Sequence, residues 1–332
     1  MADRPVFICG APRSGTSLLR RILACSETIA FPKYETWFFP NIYNRMKLID
    51  KLEREDRFKV IVNSLSQMSH GFYKQFLENK VTFEKLRESD QKPETLFDIL
   101  QEEVAIRQNR RRWGDKSPGH EYYAEQILET YPSAKLVYIF RDFRDVAASR
   151  KFKPTIKGDK VLLRDGIRGA MMWKKSIQQH IFNVNTLPHG QYYSIRYEEL
   201  LRHPRETLEK LGDFVEDEIE DCLFRHDGEW RFRSLNESGA DFAPGEQSAS
   251  SYEERQFKSV IAPSAIGGYR NKLSKTEVKA IERLCRYEAR LTGYIGSRSD
   301  IMRSIRWLKF STGKSKQWEG QPHCRIDETE AM

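Results

Sequence analysis

The sequence contains no apolar run approaching the roughly 20 residues of a membrane-spanning helix, so no membrane span is expected. A strand-like apolar segment begins at Pro5, which leaves no room for a signal peptide ahead of it. Cysteine is scarce: Cys9, Cys25, Cys222, Cys285 and Cys324 are odd in number and scattered. That argues against a disulfide framework and for reduced thiols in a cytoplasmic setting, and the spacing offers no paired zinc ligands. No block of basic residues reads as a nucleic-acid arm, and no internal repeat is visible.

What is present fits a globular α/β protein. Charged residues make up 31% and hydrophobic residues 39% of the 332 positions, and the net charge of +8 suits anionic ligands without choosing among them. The pattern predicts one domain over residues 1–296, with a helical insertion at about 41–109, and a basic then polar tail over 297–332. Within the insertion, the charged stretch Glu84 to Lys92 reads as a solvated linker.

The chain is organised around Pro5 to Leu23. Pro5–Cys9 reads as a buried strand, Gly10–Gly15 as a turn, and Leu18, Leu19, Ile22 and Leu23 follow at helical spacing. A strand, a Gly-bounded loop and a helix in that order make an anion cradle, because loop N–H groups and the helix N-terminus point at one place. A Walker A loop carries Lys directly after its second Gly. Here Thr16 follows Gly15, and the strong cation is Arg13, inside the loop. A tight turn without a ligand is the alternative reading.

Further segments carry chemistry. Glu35 sits among Tyr34, Trp37, Phe38 and Phe39, where partial burial would raise its pKa and suit it to general-base work. A helix-start residue before a hydrophobic patch is the alternative. Trp113 is expected to end a short strand, and a helix is expected from about His120 to Tyr131; Lys116 at a strand end can face the same crevice as Arg13, a surface lysine being the plainer reading. The apolar run Ala134–Phe140 reads as a central parallel strand. It delivers Arg141, and Ser149 lies on the helix after it, so both can converge on one anion; a helix-start ion pair is the plainer reading. A long helix is expected over Gly166–Val184 and a strand over Gln191–Arg196, followed by Tyr197. Ile156–Leu163 reads as a loop, and residues 227–250 as a surface loop. The Gly-rich stretch 259–272, with Ser264, Tyr269 and Arg270, reads as a lid before a helix over Ser274–Leu291.

Together these segments resemble the sulfotransferase family that uses 3′-phosphoadenosine 5′-phosphosulfate, most of all the branch with tyrosylprotein sulfotransferases and bacterial relatives. The resemblance rests on Ala11-Pro-Arg-Ser-Gly-Thr-Ser17, on Arg141 with Ser149, on Tyr197-Glu-Glu-Leu and on Ile266-Gly-Gly-Tyr-Arg-Asn-Lys-Leu-Ser274. It implies a P-loop-NTPase-like three-layer α/β/α fold with a central parallel sheet and helical insertions. It also implies that Arg13, Ser14, Gly15, Thr16 and Ser17 bind the 5′-phosphosulfate, that Arg141 and Ser149 bind the 3′-phosphate, and that Tyr197 lies near the co-substrate. Ser264, Tyr269 and Arg270 would close over the nucleotide. Glu35 falls at the position of the general base, while Lys116 and Arg13 would stabilise charge on the transferring sulfonate.

Such transfer is in-line, the protein supplies cations, N–H donors and a base, and no metal is demanded. The acceptor is a hydroxyl on a saccharide, lipid, phenol or peptide, entering past Tyr34, Trp37, Phe38 and Phe39. A P-loop small-molecule kinase and a non-catalytic nucleotide-binding protein of the same fold are the alternatives.

Overall fold

The computed structural model describes residues 4–32, 35–43, 45, 48–66, 72–152, 163–188, 190–219 and 265–296. Strand β1 (Val6–Cys9) is buried along its whole length. Its side chains alternate between two cores, Phe7 and Cys9 on one face of the sheet and Val6 and Ile8 on the other. Strand β4 (Lys135–Phe140) does the same, with Leu136, Tyr138 and Phe140 on the first face and Val137 and Ile139 on the second. A strand covered on both faces has no polar side to show, which is why both segments read as apolar runs.

β2 (Ile29–Ala30), β3 (Arg112–Lys116) and β5 (Tyr192–Arg196) complete a sheet of order β2-β3-β1-β4-β5 in which every pairing is parallel. The helices in chain order are α1 (Thr16–Leu23), α2 (Arg54–Ser66), α3 (Phe72–Leu77), α4 (Lys80–Glu88), α5 (Pro93–Arg107), α6 (Ala124–Thr130), α7 (Phe143–Lys151), α8 (Leu163–Thr186), α9 (Tyr197–Arg202), α10 (Pro204–Val215), α11 (Lys275–Leu284) and α12 (Arg286–Leu291). Leu19, Ile22 and Leu23 of α1 share one face of the sheet with Leu200 of α9 and Leu208 of α10. Phe97 of α5, Ile127 of α6, Phe143 of α7 and Trp173 of α8 cover the other. The result is the expected α/β/α sandwich. Among the described residues no helix is long and apolar enough to cross a membrane.

The sheet order fixes where a ligand can sit. The chain leaves β1 for β2 toward one edge, and leaves β4 for β5 toward the other. The loops after these two neighbouring strands therefore part in opposite directions and open a crevice at their carboxyl ends.

Several expectations need correction. Glu84–Lys92 is not a linker as a whole: its first half belongs to α4. Asn79 caps that helix by accepting the Thr82 N–H, Leu86 is buried and Phe83 packs edge-on against Phe58, so the charges decorate only an outer face. Trp113 does not end its strand, because β3 continues to Lys116. The segment from His120 opens as a tight 3₁₀ turn, His120–Tyr123, before α6 begins. The helix expected over Ser274–Leu291 is interrupted at Cys285, whose buried thiol donates to the Ala170 carbonyl of α8. The expectations for Ile156–Leu162, residues 227–250, residues 259–264 and the tail 297–332 fall outside the described residues.

Candidate active site

The turn after β1 runs close against its neighbours. Gly10 has φ +138° and donates its N–H to Glu121 Oε2 at 3.2 Å; a Cβ on it would lie 2.4 Å from the Ile139 carbonyl of β4. Arg13 holds a left-handed backbone at φ 78°, and Ser14 N–H closes the turn onto the Ala11 carbonyl at 3.1 Å. Helix α1 then starts at Gly15 with no side-chain cap and no acidic residue in its first turn. The first turn thus carries no acidic side chain to neutralise the positive helix end. Ser14 is fully buried, and its hydroxyl has no partner among the described residues. Thr16 is buried beside it, whereas Ser17 is exposed.

Gly15 is irreplaceable for two reasons. Its φ is +105°, and a Cβ would lie 2.6 Å from Cδ2 of Tyr197. We expect Gly15→Ala to lose about 2–4 kcal/mol of folding stability in a denaturant titration, from backbone strain and the collision together.

The second segment singled out in the sequence meets the first here. Arg13 Nε donates to Ser149 Oγ at 2.9 Å, joining the loop after β1 to α7 across 136 residues of sequence. Arg141, directly after β4, lays its guanidinium over the Tyr197 ring at 4.4 Å. Its Nη2 donates to the Ala265 carbonyl at 2.7 Å and lies 3.7 Å from Asp145 Oδ2. Its Nε is buried with no hydrogen-bond partner among the described residues. Trp173 Nε1 donates to the Arg141 carbonyl at 2.8 Å and holds that backbone in place.

The Gly-rich segment is tied to the same spot through Asp145, whose carboxylate accepts the N–H groups of Gly267 and Tyr269 at 2.8 Å each. Tyr269 itself is buried, with the guanidinium of Arg144 at 4.7 Å from its ring and that of Arg270 at 5.0 Å. Arg270 is exposed and folds back over Gly267. Ser264 lies outside the described residues.

Glu35 and Lys116 form an ion pair, although 81 residues separate them. Lys116 is buried at the end of β3, and burial lowers its pKa from the ordinary lysine value. Glu35 opposes that shift, Arg20 adds to it and Asp115 opposes it. The aromatic setting expected for Glu35 is not what surrounds it. Phe38 and Phe39 turn into the core, where Phe38 stacks on Phe97 at 4.4 Å between ring centroids, and the Glu35 carboxylate faces Lys116 instead. Phe38 and Phe39 therefore do not line an entrance; Trp37 is half-buried and Tyr34 lies outside the described residues.

Sequence reasoning missed Asp115, His120, Glu121 and Asp145, which hold the named residues without carrying a motif of their own. The adjacency of Asp115 to Lys116 hinted at one of them, and the helix-start ion pair weighed for Arg141 is the one it makes with Asp145.

A family model described as the sulfotransferase family matches residues 5–221, which span β1 through α10 and every one of these segments except the Gly-rich one. The chain belongs to the sulfotransferase family. Among curated sulfotransferases, protein-tyrosine sulfotransferase A of Caenorhabditis elegans is 25% identical over 223 residues, covering 67% of this chain and 52% of that one. The omega-hydroxy-beta-dihydromenaquinone-9 sulfotransferase Stf3 of Mycobacterium bovis is 26% identical over 261 residues, covering 64% of each chain. An uncharacterized Aquifex aeolicus protein is 26% identical over 68% of this chain, which spans only 27% of that protein's length. The chain thus covers between about a quarter and two thirds of these relatives. The solved sulfotransferase domain of the Synechococcus PCC 7002 olefin synthase shares the fold, with a TM-score of 0.51 at 16% identity over 92% of this chain and 96% of that one.

Proposed function

We propose that this sulfotransferase takes its sulfonate from 3′-phosphoadenosine 5′-phosphosulfate and passes it to an acceptor hydroxyl. The observation that carries the reading is the Arg13–Ser149 contact, which ties the cationic loop after β1 to the helix that follows Arg141. A donor with anionic groups at both ends fits such a site, and the Ser14 hydroxyl and Arg141 Nε, buried and without a hydrogen-bond partner among the described residues, add donors to it.

Under this reading Arg13, the N–H groups at the start of α1 and the hydroxyls of Ser14, Thr16 and Ser17 hold the 5′-phosphosulfate. Arg141 and Ser149 hold the 3′-phosphate, with Tyr197 supporting Arg141. Ser264, Tyr269 and Arg270 contribute the cover over the nucleotide. The acceptor oxygen attacks sulfur, the bond from sulfur to the bridging phosphate oxygen breaks, and that oxygen leaves with the electron pair. Glu35 receives the acceptor proton, and Lys116 and Arg13 balance charge on the sulfonate and the leaving oxygen. The acceptor is a hydroxyl on a saccharide, lipid, phenol or peptide; the two named relatives act on a protein tyrosine and on a hydroxylated menaquinone.

Calorimetric titration with 3′-phosphoadenosine 5′-phosphate, run beside ATP with magnesium, tests the donor. We expect saturable binding of the bisphosphate that ATP with magnesium does not match. A preference for ATP with magnesium would replace this reading with a P-loop kinase.

A further inference from the structure

Behind the Glu35–Lys116 pair lies a fully buried polar cluster that no role above explains. Asp115 Oδ2 accepts the Thr36 hydroxyl at 2.7 Å and the Ser117 hydroxyl at 3.3 Å, and it lies 3.0 Å from His120 Nε2. The other ring nitrogen of His120 is 3.2 Å from the Ile8 carbonyl, so the imidazole spans β3 and β1. The rings of Phe7 and Phe39 stand edge-on to it at 5.4 and 5.9 Å. Ser117 Oγ in turn accepts the Trp37 N–H at 3.0 Å, and Tyr73 donates to the Thr36 carbonyl at 2.7 Å. Trp37 carries a left-handed φ of 53°, so the chain turns sharply just after Glu35.

These contacts share a geometry. Glu35 is on a loop with no regular structure, whereas Lys116 is on a strand. The residue after Glu35 is hydrogen-bonded to the residue before Lys116, and the residue after Lys116 is hydrogen-bonded to the second residue after Glu35. Two strap points, both just after Glu35 on the loop and one on either side of Lys116 on the strand, therefore fix the loop against the strand. Thr36, Asp115, Ser117 and His120 are all buried, so water does not compete for these bonds.

We propose that Asp115 and Thr36, packed against His120, are positioning residues that seat the Glu35 carboxylate on the Lys116 ammonium and so align base and transfer cation. The inference rests on the roles proposed above for Glu35 and Lys116. A freely moving loop would spread the carboxylate over many positions, and misplacement by about 1 Å costs on the order of 10²-fold in rate.

Asp115 has a second effect, through charge. The groups that bear on Lys116 are Glu35 and Asp115, which raise its pKa, and Arg20, which lowers it together with burial. Asp115→Asn removes one raising charge, and Thr36→Val lets Glu35, the stronger one, drift away. In both variants the Lys116 midpoint moves further down. The ammonium is lost at a lower pH, so the alkaline limb of any activity that needs it shifts toward acid.

The test follows Lys116 directly. NMR titration of the full chain, isotopically labelled at lysine Cε, gives its midpoint without an acceptor in hand. We expect lower midpoints in Asp115→Asn and Thr36→Val, and recovery in Thr36→Ser, which restores the hydroxyl. Release of sulfate from 3′-phosphoadenosine 5′-phosphosulfate, with water as acceptor, should fall about 10²-fold in Thr36→Val. Its affinity for 3′-phosphoadenosine 5′-phosphate, which lacks the sulfonate that Lys116 would meet, should stay within about twofold.

An unchanged Lys116 midpoint in Thr36→Val overturns the inference. So does a parental rate in Thr36→Val when Glu35→Gln has lost its own. If the parent protein fails to bind 3′-phosphoadenosine 5′-phosphate, the donor reading falls, yet the midpoints still decide whether the strap seats Glu35. Should Asp115→Asn not fold, Thr36→Val carries the test, since it removes one hydroxyl and keeps the branched shape.

Discussion

Glu35→Gln is expected to lower turnover by on the order of 10²–10⁴-fold while binding of 3′-phosphoadenosine 5′-phosphate stays close to parental. Glutamine has the shape of glutamate but takes no proton from an attacking hydroxyl. It also deprives the buried Lys116 of the charge that most strongly holds it protonated. Two effects therefore act in one direction: loss of the base, and a weaker cation at neutral to alkaline pH. The Glu35 side chain is 30% exposed, and the glutamine amide oxygen can still accept from the buried Lys116 ammonium, so the fold should survive the loss of the countercharge. The measurement is product 3′-phosphoadenosine 5′-phosphate released in the presence of a panel of phenol, sugar, lipid-alcohol and peptide acceptors. Parental turnover in the variant would remove Glu35 from the chemistry. Silence of the parent and the variant alike across the panel, with nucleotide binding intact, would favour a binding protein of this fold over an enzyme.

Arg141→Ala carries the other large effect, on affinity rather than turnover. The guanidinium is positioned from three sides, by the Tyr197 ring, the Ala265 carbonyl and Asp145, while its buried Nε has no hydrogen-bond partner among the described residues. A charged donor fixed this way loses little entropy on meeting a phosphate, and each charge-assisted hydrogen bond contributes about 1.5–3 kcal/mol. Loss of a two-pronged contact therefore predicts weakening of 3′-phosphoadenosine 5′-phosphate by on the order of 10²-fold or more in calorimetry. Ser149→Ala, which removes a single neutral hydroxyl, should cost far less. An Arg141→Ala protein that binds the nucleotide as tightly as its parent would move the 3′-phosphate elsewhere. Because Asp145 also holds the Gly267 and Tyr269 N–H groups, the variant's thermal midpoint should be recorded beside its affinity.

The residues that sequence reasoning named are those whose chemistry is unusual for their place in the chain. Arg13 stood out inside a glycine-bounded turn, and Arg141 stood out at the end of an apolar strand. Periodicity then marked the strands and helices themselves, since β1 and β4 are buried on both faces and α1 carries its apolar residues at one spacing, while the three-layer order was what the family resemblance implied. Local charge density misled the reading of Glu84–Lys92, where a capped helix hides Leu86 under a charged surface. Aromatic clustering misled it at Glu35, because adjacent residues in a turning loop do not face one way: Phe38 enters the core while Glu35 meets Lys116.

The sequence by itself determined the parallel α/β architecture, the glycine-bounded turn after the first strand and the cations near it, because each is written in neighbouring residues and short periods. Tertiary structure alone decided that Arg13 touches Ser149, that Glu35 is paired with Lys116, and that Asp115, Thr36 and His120 stand behind that pair. Those contacts join residues 136, 81 and 79 positions apart, and no local rule relates them. They exist because the order β2-β3-β1-β4-β5 brings the carboxyl ends of β1, β3 and β4 side by side, and burial at that edge leaves each polar group to find its partner within the protein.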